Sequence, residues 1–283
     1  MKRAGAALLT LSVAWVVESA VPARAHEFWV EPEPNPAASG EPVRVRLYVG
    51  ERFAGEEVGY AGGHALDFRH FWAGGEERLR GEEGVGPAAV FVPEEQGLHL
   101  ISYSSYPSTT RIPAETFNAY LLEDGLYVPL AERRGAGRLQ HEGRERFSRY
   151  CKTFLNCSGT AAERHRSSSA STSLWGAALG HRLEIVPETD PSSLAGTGAV
   201  FRGRLLFDGR PLEGAVVFSS SKSDPGAARS RLTGEDGRFH FTVDRTGWWM
   251  ISVVHMVACM DDPELDWDSS WATLLFHSGA GDS

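Results

Sequence analysis

Pro42-Val43-Arg44-Val45-Arg46-Leu47-Tyr48-Val49-Gly50 is the stretch that decides how this chain folds. Val43, Val45, Leu47 and Val49 alternate with Arg44, Arg46 and Tyr48. A period of two marks a half-buried β-strand, because successive side chains of an extended backbone point to opposite faces. The same texture continues outward. Residues 88–92 and 98–103 are further short apolar runs, with Gly and Pro between them. Residues 26–112 therefore read as an N-terminal β-sandwich domain.

Residues 113–157 change character and read as a helical connector. Pro113 suits the start of a helix, and Glu115 falls in its first turn, where the helix dipole favours an acid. Phe117, Tyr120, Leu121 and Leu122 form an apolar stripe that Gly125 ends. Phe147, Tyr150, Cys151 and Phe154 also recur at helical spacing, which predicts a second helix after Gly143. Residues 158–182 are Ser-rich and read as a surface loop. Strands return from 183 to 283, at 183–186, 199–207, 214–219, 239–243, 248–257 and 271–276. Asp208-Gly209 and Gly234-Glu235-Asp236-Gly237 are turns between them. The expected fold is mainly β, with two β-sandwich domains at 26–112 and 183–283 and a short helical connector.

The first 25 residues follow the grammar of a secretory signal peptide. Lys2 and Arg3 precede an uncharged apolar run from 6 to 17, and Ala23-Arg24-Ala25 fits the small-x-small cleavage rule. Cleavage after Ala25 makes His26 the first residue of a periplasmic or secreted protein. It also shifts the formal net charge from −9 to −11, through loss of Lys2, Arg3, Arg24 and Glu18. An acidic chain without a basic cluster is a poor partner for nucleic acid and a plausible neighbour for cations. No later segment approaches the roughly 18 apolar residues of a membrane span. Export permits a disulfide among Cys151, Cys157 and Cys259. Cys151 and Cys157 would stand about 9 Å apart on one helix, beyond disulfide reach, and a pairing with Cys259 stays equally open.

Four motifs carry a resemblance. They are His26-Glu27-Phe28-Trp29-Val30-Glu31-Pro32, Pro113-Ala114-Glu115-Thr116-Phe117-Asn118-Ala119-Tyr120-Leu121, Val254-His255-Met256, and Asp266-Trp267-Asp268-Ser269-Ser270-Trp271-Ala272-Thr273-Leu274. Together they resemble the DUF4198 family of exported bacterial proteins. That resemblance implies similarity to the periplasmic component of nickel or cobalt uptake systems. Gly209-Arg210-Pro211-Leu212-Glu213-Gly214-Ala215 and Asp236-Gly237-Arg238-Phe239 resemble transthyretin-like or carboxypeptidase-regulatory modules, which implies an Ig-like or transthyretin-like second sandwich.

His26 is the first candidate for chemistry. At a mature N-terminus it offers an α-amino group and an imidazole. The amine and Nδ1 can chelate one metal ion, which displaces the amine proton near neutral pH. A second imidazole would complete a three-nitrogen brace suited to Cu(II) and open to Ni(II). The other reading of His26 is a frayed terminus. His255 is the chosen partner, and its other reading is a hydrogen-bonded core histidine. On a regular strand His255 shares a face with Ile251 and Val253, while Met256 faces the opposite way. His64 and His70 lie roughly 20 Å apart if extended, too far to share an ion. The run Asp261, Asp262, Glu264, Asp266 and Asp268 reads as a solvated loop and is not an EF-hand, although Asp266 and Trp267 could support the site. No nucleophile elbow, zinc-protease motif, phosphate loop or dinucleotide fingerprint occurs, so no enzyme is expected.

The expected function is capture or delivery of a transition metal (Ni, Co or Cu), with a membrane metal transporter as possible partner. The competing expectations are a copper oxidase-like enzyme on the same brace, and a metal-free module that binds protein or glycan.

Overall fold

The alternation read from Val43 onward holds in three dimensions. The structure is a computed structural model that describes residues 27–84, 86–158, 174–194 and 198–279. The expected signal peptide, His26 and most of the Ser-rich loop lie outside those residues. In chain order the elements are β1 (Glu27–Glu33), β2 (Ala37–Ala38), β3 (Val43–Glu51), β4 (Ala54–Val58), β5 (Ala65–Trp72), β6 (Gly75–Arg78), β7 (Ala89–Phe91), β8 (Gly97–Ser105) and β9 (Ser108–Ile112). Helices α1 (Ala114–Glu123) and α2 (Tyr127–Gly135) follow. Then come β10 (Gly143–Ser158), β11 (Leu183–Pro187), a 3-10 turn (Pro191–Ser193), β12 (Ala199–Phe207), β13 (Arg210–Pro211), β14 (Val216–Ser221), β15 (Asp224–Leu232), β16 (Arg238–Val243), β17 (Gly247–Ala258) and β18 (Trp267–Ser278).

The fold is mainly β, as expected, and the strands among the described residues form three sheets. A ten-stranded sheet runs β15-β14-β17-β18-β10-β8-β5-β6, with β2 and β9 also on β10. A sheet of β1, β3, β4 and β7 covers one of its faces. There Val43, Val45 and Leu47 meet Ile101, Tyr103, Cys151 and Leu155. A sheet of β11, β12, β13 and β16 covers the other, where Phe201, Leu205 and Phe241 meet Phe154, Ile251, Val253 and Leu274. The two sandwiches thus share a layer. Strands from both β-rich halves enter one sheet and join where β10 runs parallel to β18 and antiparallel to β8.

The second expected helix is instead the strand β10, and this corrects the connector. Phe147 and Cys151 face the first sheet's side, while Tyr150 and Phe154 face the other. Residues 151–155 are all buried, so both faces need apolar or paired side chains. Such a run carries no period of two, and its aromatic spacing imitates a helix. On this strand Cys151 and Cys157 are six extended residues apart, and all three cysteines are free thiols. The first helix forms where expected, and Gly125, at a φ of 72°, ends α1. Phe117, Tyr120 and Leu121 pack against Val254, Met256, Trp267 and Trp271.

Candidate functional site

β1 is the edge strand of the first sheet and lies against β10 and β18 of the ten-stranded one. On one side it pairs with β3 from Glu27↔Gly50 to Glu33↔Arg44. On its other edge, two carbonyls accept from side chains. Thr273 Oγ1 donates to the Phe28 carbonyl at 2.8 Å, and Thr153 Oγ1 to the Val30 carbonyl at 2.6 Å. Trp29, 2 % exposed, packs on Met250 and Leu275 and stacks on Tyr48 at 5.4 Å. Glu27 shares its face of β1. The Glu27 carboxylate accepts from the Ser252 hydroxyl and, at 2.6 Å, from the Arg52 backbone N–H. Burial pushes its pKa up.

Glu27 is one wall of a cavity of about 260 Å³, lined also by Glu51, Arg52, Glu123, Asp124, Phe218 and Trp271. Asp124 follows the last residue of α1. Burial, reinforced by the charges of Glu27, Glu51 and Glu123, pushes its carboxyl up to about 8. Trp271 stacks on Tyr120 at 5.7 Å, and the Tyr120 hydroxyl donates to Glu145 at 3.2 Å. Burial raises Glu145 to about 7, against hydrogen bonds from Ser269 and Tyr120 that lower it. Four carboxylates, Glu27, Glu51, Glu123 and Asp124, line this one cavity, and burial raises two of them, Glu27 and Asp124. Among the described residues, no group of three or more His, Cys, Asp or Glu side chains is arranged to hold a metal ion by itself.

His26 lies outside the described residues. His255 sits in the regular stretch of β17, which pairs with β18 without a bulge from Gly247 to Ala258. Its ring packs edge-on against Phe207 at 4.5 Å, and burial, then the Arg182 charge, push its pKa down. Ser252 points the other way, towards Glu27. One strand thickness therefore separates the His255 ring from the end of β1. Met256 faces the helices, opposite His255, as the alternation predicts.

The other candidates are accounted for locally. Asp266 is bound by Arg144 and Arg138, and Asp268 by Arg146 and Arg182, so these acids tie β18 to β10 and the loop before β11. His64 is exposed, while His70 is buried and meets His99 at 2.7 Å, Nε2 to Nδ1. His181 is half-buried against Tyr150 and Ser102, and burial takes it down to about 4.

Sequence reading missed Asp124 and Glu145. Nothing near either residue marks it, because contacts from distant segments bury them. Glu27 did carry a signal, since strand alternation puts it on the face of Trp29.

The family described as "Domain of unknown function (DUF4198)" matches residues 23–257. None of the curated proteins compared with the chain matches it. A solved structure, the "D0-D1 domain of Intimin", aligns over 88% of this chain and 97% of its own, at 9% identity and a TM-score of 0.21, a likeness too distant to carry an argument. With more than half its length inside that match, the chain belongs to the DUF4198 family.

Proposed function

We propose that this chain is an exported periplasmic protein that captures or delivers a transition-metal ion at the start of its mature sequence, beside the carboxylate cavity. The observation that carries this reading is the seat of Glu27, whose side chain forms a wall of that cavity. Residue 26 is one peptide bond away. Cleavage after Ala25 frees an amine there, next to an imidazole. Amine and ring nitrogen with carboxylate oxygens from Glu27 or Asp124 form a mixed set that suits Ni(II), Co(II) or Cu(II). The family's resemblance to nickel and cobalt uptake components favours the first two, with a membrane transporter as recipient. The opposed faces of Ser252 and His255 favour carboxylates over His255 as partners of His26.

The test is mass spectrometry of the exported protein, then calorimetric titration with Ni²⁺, Co²⁺, Cu²⁺ and Zn²⁺. The expected N-terminus is His26. Binding is abolished by one extra residue before His26, weakened in Asp124→Asn, and unchanged in His255→Ala. Loss of binding in His255→Ala would restore the two-histidine brace. A different N-terminus, or flat titrations with all four ions, would overturn the proposal.

A further inference from the structure

β14 and β17 part company halfway along. They pair from Phe218↔Ser252 to Ser221↔Trp249 and no further. β17 nonetheless stays paired to β18 as far as Ala258. Alternate residues between Val253 and Ala258 therefore turn their N–H and C=O groups away from β18. Among the described residues, no backbone hydrogen bond meets them on that side. The turn after α1 holds the strands apart. Gly125 lies so close to Val216 that a Cβ there would stand 2.4 Å from its Cγ2.

A groove of about 320 Å³ results along the open edge. Met256 and Trp267 line it, and Tyr127 and Val128 form its lip at 56 % and 69 % exposed. Glu132 and Glu213 also line it and give it negative charge. An open backbone edge asks for a partner that brings its own N–H and C=O groups at strand spacing. The apolar lining asks for alternate apolar side chains, and the two glutamates for a flanking Lys or Arg. A second copy of this acidic chain would bring its own Glu132 and Glu213 to the same place.

We infer that this groove binds an extended, basic-flanked segment of a partner protein by adding it as a strand to β17. The probe is a synthetic peptide of about nine residues, a common strand length, alternating Val and Thr between terminal lysines. Its binding to the full mature chain is read by anisotropy and by hydrogen exchange with mass spectrometry. The expected result is saturable binding that slows exchange at residues 253–258. Val128→Asp and Glu213→Lys, both at exposed positions, each weaken it roughly tenfold while leaving the circular dichroism unchanged. The same peptide methylated on its backbone nitrogens does not bind. Equal binding of the methylated peptide, protection elsewhere, or no saturable binding overturns the inference. So does a concentration-dependent dimer that protects 253–258 without peptide, because the occupant would then be a second copy.

Discussion

Asp124 holds a proton at neutral pH in the folded chain, since burial and three neighbouring acids put its pKa at about 8. In the unfolded chain an Asp titrates near 3.9. The folded value is the higher one. The stability it contributes is therefore fully present below about pH 4 and lost as pH rises through about 8. Glu145, at about 7, acts in the same direction. Buried histidines such as His181 and His255, with lowered pKa values, add stability as pH rises to about 6.5, so the melting temperature of the metal-free protein is expected to fall between about pH 7 and pH 9, and Asp124→Asn to flatten that fall. A melting temperature that rises over this range would refute the buried-acid account. Ser252 makes a second prediction at this scale. Its hydroxyl donates to Glu27, and bonds to charged groups contribute about 1.5–3 kcal/mol. Ser252→Ala should cost roughly that much in urea unfolding and speed amide exchange at the start of β1.

Among the elements, β1 and β10 carry the most. Trp29 anchors β1 to β17 and β18 through Met250 and Leu275. Trp29→Ala removes a buried ring, at an expected cost of about 3–5 kcal/mol by urea unfolding. β10 carries Lys152, buried beside Glu184 of β11. Lys152 also donates to the Ala177 carbonyl at 3.1 Å, and Glu184 accepts backbone N–H bonds from Leu179, Gly180 and His181. Breaking such a pair on one side leaves a buried charge alone. Lys152→Met is expected to destabilise by about 3–5 kcal/mol, and Lys152→Met with Glu184→Gln to recover part of that loss. A double variant no better than the single one would show that the lone Glu184 charge is not what destabilises Lys152→Met. β10 also accounts for the helical look of its own sequence. A strand buried on both faces shows no alternation, and Phe147, Tyr150, Cys151 and Phe154 match a helical period by coincidence.

At the scale of the whole molecule, the shared ten-stranded sheet couples the two halves. Residues 183–283 alone lack β10 and β8, and with them Phe154, Leu98 and Leu100 of their own core. That fragment is expected to stay unfolded by NMR dispersion, and the full chain to unfold in one calorimetric transition. Two separated transitions would show independent domains instead. By itself, the sequence determined whatever depends on local pattern. The alternation from Val43 placed β3, Asp208-Gly209 placed a turn with φ values of 48° and 74°, and Pro113 to Gly125 bounded α1. Strand parity also put His255 and Met256 on opposite faces. Tertiary structure alone decided that β10 is a strand, that both sandwiches use one sheet, and that Asp124 joins Glu27 at one cavity while the His255 ring does not. These outcomes rest on pairings between residues more than a hundred positions apart, such as Phe147↔Ser269 and Glu27 with Ser252. Period and propensity act over a few residues, whereas partner edges and desolvation exist only once the chain has closed.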